Sequence, residues 1–156
     1  MTKKFSILFS AAILAIGLFS SCTKKTVTPA STNTTVTPSM TAIVNGVAWA
    51  ASDVTGLQNS GAVQIMGTLT SADQEMVIQM MASTPGTYTV DGLTTLFSYY
   101  YTNNGVTTVY QGNSGTIVVT SYTNGVIKGT YSGTATATSN VSDKVTVTNG
   151  TFTCQF

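Results

Sequence analysis

The sequence predicts an all-β domain: an antiparallel β-sandwich or, as an alternative, a small β-barrel, built from roughly nine or ten short strands. Three observations predict it. The 156 residues include 31 threonines, 14 glycines and seven tyrosines, and β-branched and aromatic side chains suit a pleated surface while glycine suits tight turns. Four Asn-Gly pairs, Asn45-Gly46, Asn104-Gly105, Asn124-Gly125 and Asn149-Gly150, interrupt stretches in which apolar and polar residues alternate. Asn-Gly in that setting is the strongest local signal for a hairpin, because both central residues of a type I′ turn need positive φ. No helical periodicity follows residue 20.

The first segment is a targeting signal by its pattern. Lys3 and Lys4 precede an apolar run, FSILFSAAILAIGLF at residues 5–19, too short for a comfortable transmembrane helix. Small residues Ser20 and Ser21 then lead to Cys22, and LFSSC at residues 18–22 resembles the lipobox of bacterial lipoproteins in its relaxed Bacteroidota form. The resemblance implies a signal peptide over residues 1–21 and acyl chains on Cys22. Residues 22–39 then read as a Thr/Pro/Ser-rich tether with too little apolar surface to form a core. They would span roughly 20 Å as a coil and about 55 Å when extended. Thr23, in place of Asp after the cysteine, resembles lipoproteins sent to the outer membrane, facing the periplasm or the cell surface, and Lys24 and Lys25 favour the periplasmic side.

From Met40 onward the elements follow in order as one domain. TAIV and VAWA flank Asn45-Gly46, which sets Trp49 opposite Ala42 on the core face with Val44 and Val47. AVQIMGTLT and EMVIQMM pair across residues 71–74, with Leu69, Gly67 and Ile65 opposite Met76, Ile78 and Met80. GTYTV follows Pro85. LFSYYYT pairs with VTTVY, placing Tyr99 opposite Tyr110 with Tyr101 beside them and Tyr100 on the other face beside Val109. The Asn124-Gly125 hairpin sets Tyr122 opposite Ile127 and Val118 opposite Tyr131. The last hairpin, around Asn149-Gly150, pairs Val147 with Phe152 and Val145 with Cys154. Its core face is then Val145, Val147, Phe152, Cys154 and Phe156, so Cys154 reads as a small buried hydrophobe and not as a reactive thiol.

Four pieces, VNGVAWAA, PGTY, IKGTYSGTA and VTVTNGTF, together resemble a family of small Bacteroidota lipoproteins known only as a domain of unknown function. The resemblance covers nearly all of residues 40–156. It implies an antiparallel β-sandwich and carries no catalytic motif.

The inventory for chemistry is thin. The chain has no histidine, six lysines and arginines together and five acids, which argues against a dense basic face for nucleic acid. It also removes the usual general base. No serine sits in a G-x-S-x-G elbow. Of Asp53, Asp73, Glu75, Asp91 and Asp143, four fall in or beside turns, where Asp serves as a backbone acceptor. Asp73 and Glu75 lack the repeated acidic pattern of a calcium loop. The expectation is therefore a protein that is not an enzyme and has no cofactor or metal. It is tied to the membrane by Cys22 and acts structurally or by binding an envelope protein. The alternative is a glycan-binding module that uses Tyr99, Tyr100, Tyr101 and Tyr110, since exposed tyrosines on a rigid sheet stack sugars and also suit protein interfaces.

Overall fold

The computed structural model describes residues 36–82 and 84–156. The expected signal peptide, Cys22 and most of the expected tether lie outside the described residues. Those described form ten strands and a single 3-10 turn. The strands are β1 (Ser39–Val44), β2 (Val47–Ala50), β3 (Asp53–Asn59), β4 (Ala62–Leu69), β5 (Gln74–Met81), β6 (Gly86–Thr89), β7 (Leu96–Asn103), β8 (Val106–Thr123), β9 (Val126–Ala137) and β10 (Asn140–Gln155). All pairings are antiparallel and belong to one sheet, ordered β2-β1-β10-β9-β8-β7-β5-β4-β3, with β6 added to β8.

The sheet is not closed by hydrogen bonds, but it rolls until its ends face each other. At Gly67 of β4, a side chain would run into Met40 Sδ of β1 at 2.8 Å and Trp49 of β2 at 3.0 Å. One bond, from Ser52 N to the Thr68 carbonyl at 2.7 Å, helps pin the corner. The apolar residues that alternate along each strand therefore share one core, which includes Met40, Trp49, Ile65, Met76, Ile78, Phe97, Ile117, Ile127, Val147, Phe152 and Cys154. Burial of such side chains contributes about 1.5–3 kcal/mol each.

Three Asn-Gly pairs form the expected hairpin turns, with positive φ at both residues: Asn45 and Gly46, Asn104 and Gly105, Asn124 and Gly125. The fourth corrects the sequence reading. Asn149 and Gly150 lie inside the continuous strand β10, where the register to β9 shifts between Val147 and Gly150. Val147 pairs with Val44 and Gly133, Phe152 with Met40 and Gly129, and Cys154 with Ile127. A two-residue turn and a one-residue bulge both switch which parity of residues faces inward. Of the predicted core face, Val145, Val147, Phe152 and Cys154 are consequently buried and Phe156 is half-buried against the core, although the predicted hairpin does not form.

Two other registers slide. A bulge at Thr120 puts Ile117, not Val118, opposite Tyr131, while Tyr122 stays opposite Ile127. The 3-10 turn Thr70–Ala72 ends on Asp73 in a left-handed conformation. It moves the β4–β5 pairing by two residues, so that Ile65 meets Ile78 and Gly67 meets Met76. A shift of two preserves the face.

Candidate functional site

A cleft of about 320 Å³ opens where the β1–β2 hairpin leans over β5, β7 and β8. Its lining includes Val44, Val47, Trp49, Gln74, Tyr99, Tyr101, Tyr110 and Val145. The hairpin is fixed there by its own turn residue. Asn45 N donates to the Thr146 carbonyl at 2.9 Å, and Thr146 N donates to Asn45 Oδ1 at 2.8 Å. Across the cleft, β7 sits between β5 and β8, with Tyr101 opposite Gln74 and Tyr99 opposite both Met76 and Tyr110.

The predicted tyrosines divide by parity. Tyr99, Tyr101 and Tyr110 reach the cleft, whereas Tyr100 points to the other face and pairs with Glu75 and Val109. The Tyr99 and Tyr110 rings are buried, 6.0 Å apart and inclined by 37°. They form a tilted aromatic wall and not a flat platform. Trp49, read from the sequence as core, is buried and also lines the cleft. Its indole Nε1 is buried and has no protein acceptor. Gln74, Val47 and Val145 were not legible as site residues, because only the non-consecutive β5–β7 and β1–β10 pairings bring them there. Val47, expected on the core, lies on the predicted face but at the open lip of the cleft.

Electrostatically the cleft is neutral, since no Lys, Asp or Glu lines it. The nearest carboxylate engaged by a lining residue is Asp143, whose Oδ2 accepts a hydrogen bond from the Tyr110 hydroxyl at 3.0 Å. Burial, followed by that bond, raises the Tyr110 phenol above its ordinary range. Burial also pushes Tyr99 up to about 12, with smaller contributions from Tyr101 and Tyr110. A phenol whose folded pKa is raised contributes stability that is complete below the unfolded value of 10.0 and is lost as pH climbs through the folded value. The urea midpoint is therefore expected to fall between pH 10 and pH 12, and Tyr99→Phe should flatten that fall; an unchanged profile would contradict the burial of this phenol.

The remaining acids have other roles or none in the cleft. Asp91 organises its own loop, accepting hydrogen bonds from the Thr94 hydroxyl and from the backbone N–H groups of Leu93, Thr94 and Thr95, and these hold its carboxyl far below the usual range. Burial raises Glu75 on the outer face. Among the described residues, no three His, Cys, Asp or Glu side chains gather as metal ligands do.

The strand order matters for orientation. Chain enters β1 at Ser39, which pairs with Thr153 at the end of the strand away from the cleft. Of β1, only Val44 lines the site. Comparison with curated proteins and with solved structures finds no match. Residues 36–154, which span every strand except the last residue of β10, match one family, described as a domain of unknown function (DUF6252). The chain belongs to that family.

Proposed function

We propose that the protein is a lipoprotein of the Bacteroidota cell envelope, held in the outer membrane by acyl chains on Cys22, whose β-domain is a non-catalytic module that binds an envelope protein. The observation that carries this reading is the cleft: a concave, aromatic and uncharged surface, with neither a nucleophile–base pair nor facing carboxylates among its lining residues. Such a surface suits recognition, where a few aromatic anchors dominate binding, better than proton transfer. The tether joins β1 at the end away from the cleft, an arrangement that would leave the cleft free of the anchor. A glycan-binding role has the same cleft available to it. The flat platform of Tyr99, Tyr100, Tyr101 and Tyr110 that it would use is not what the four rings make.

Replacing Cys22 with Ala tests the anchor. The variant is expected to move almost entirely from the membrane pellet to the soluble fraction on cell fractionation, since stable attachment takes more than one lipid chain or signal. Retention in the pellet would overturn the lipoprotein reading.

A further inference from the structure

Beyond the binding of an envelope protein, we propose that the cleft is the mouth of the rolled sheet and takes a neutral sugar, either free or as the last ring of a glycan. Position carries the first step. Val44 follows Met40 and Ala42 on the inward face of β1, Gln74 precedes Met76 and Ile78 on β5, and Tyr101 follows Phe97 and Tyr99 on β7. Val145 stands in the same way beside Val147 on β10. All four line the cleft, so it is the open end of the core itself. The mouths of β-barrels are favoured places for small ligands. Below this mouth the core closes at Met76 and Phe97, neither with exposed surface, which leaves no tunnel for an acyl chain.

Polar groups inside the mouth are unengaged. Tyr99 is only 6% exposed and lines the cleft, yet no described residue hydrogen-bonds its hydroxyl. Among the described residues, only Trp49 Nε1 and the Tyr122 hydroxyl are sealed from solvent without a partner. The Tyr99 hydroxyl is therefore open to the cleft, a donor and acceptor held in place by a buried ring. The Gln74 amide and the Tyr101 hydroxyl, also without a protein partner among the described residues, belong to residues directly opposite each other on β5 and β7. Beyond the larger effect of burial, repulsion from Tyr101 also raises the Tyr99 and Tyr110 phenols, so the three hydroxyls lie close together. Amide and hydroxyl groups beside aromatic faces match a pyranose, whose C–H face packs on a ring while its hydroxyls donate and accept. A charged ligand would lose its hydration with no countercharge in the lining to offset the loss. A flat aromatic ligand needs a slot between parallel rings, whereas Tyr99 and Tyr110, 6.0 Å apart and inclined by 37°, pack on each other. The volume, about 320 Å³, stands at the lower end of the range for small-ligand sites, about 300–1,000 Å³, as suits a mono- or disaccharide.

The test uses the full chain in a detergent without a sugar headgroup. Glucose, galactose, mannose, fucose and N-acetylglucosamine are titrated singly while the emission of Trp49, the only tryptophan and part of the lining, is followed. The expected result is a saturable change with at least one of them and none with glucuronate, a charged ring of similar size. Tyr99→Phe and Gln74→Leu, which keep the ring and the approximate shape, should each weaken binding about tenfold, as the loss of one hydrogen bond implies. Tyr100→Phe, on the outer face and outside the lining, should leave it unchanged, and a urea midpoint for each variant separates lost binding from lost folding. An array of neutral glycans distinguishes the two sources: tighter retention of glycans ending in the bound sugar marks a glycan end, and equal affinity marks the free sugar. No response to any sugar together with no retention on the array, an equal response to glucuronate, or full affinity in both Tyr99→Phe and Gln74→Leu would overturn the proposal. Those failures leave the anchor and a protein partner standing, and retention of the Cys22→Ala chain in the membrane leaves the sugar site standing.

Discussion

Truncating Phe97 to Ala is expected to remove about 3–5 kcal/mol of stability, the range for large aromatic truncations in packed cores. Phe97 is the second residue of β7 and has no exposed surface. Its ring covers Gly112 of β8 and reaches Gly133 of β9, where a Cβ would approach to 3.0 and 2.9 Å. The Tyr131 ring follows at 6.4 Å between centroids. The two glycines are thus the floor on which one phenylalanine spans three strands. Folded domains have only about 5–15 kcal/mol in total, so the variant should approach half-unfolding under mild conditions. Urea denaturation would register this as a lower midpoint with an unchanged slope. Phe97→Leu, which keeps part of the buried apolar volume, should cost less than the alanine variant. A loss below about 1 kcal/mol for the alanine variant would mean that β7, β8 and β9 do not enclose this ring.

How far the fold was legible depended on whether a local signal had one structural meaning or two. Asn45-Gly46, Asn104-Gly105 and Asn124-Gly125 each sit between strands that pair with each other, and the local reading sufficed. Strand β3 was missed because Gly56 interrupts the alternation of Asp53–Asn59 and because its turn is Ser60-Gly61, a weaker signal than Asn-Gly although both residues adopt positive φ. Strand β8 was read as two pieces because residues 111–115, Gln-Gly-Asn-Ser-Gly, look like a loop. Here they form a bulge at which the register to β9 shifts between Gly112 and Ser114, letting one long strand pair with β7 at its start and with β6 further on. The candidate site was half legible for the same reason. The Tyr99–Tyr110 pairing follows from a local hairpin, but the cleft depends on the roll of the sheet that carries Trp49 and Val47 over β5 and β7. No periodicity within a segment encodes that approach; it comes from the twist accumulated over many strands.

Gly150→Ala discriminates between the two meanings of Asn149-Gly150. In a type I′ hairpin turn this glycine would be needed for positive φ, and alanine would cost about 1 kcal/mol. In the bulged strand the requirement is space: only Asn149, with φ of 50°, is left-handed, and a Cβ on Gly150 would stand 2.5 Å from the Tyr131 carbonyl oxygen and 2.6 Å from the Tyr131 ring. A carbonyl in the β9 ladder cannot turn aside as a side chain can, so the two strands must part locally. The expected cost is about 1–3 kcal/mol, as for other overpacked sites. Gly105→Ala is the control, since Gly105 has φ of 74° at a hairpin tip with nothing within 4 Å of the added carbon. It should show the conformational cost alone. Trimming the ring with Tyr131→Ala should not rescue Gly150→Ala, because the carbonyl remains. If urea midpoints place Gly150→Ala no lower than Gly105→Ala, β10 is not the continuous strand that joins β1 to β9, and the wall that holds Val145 against the cleft loses its basis.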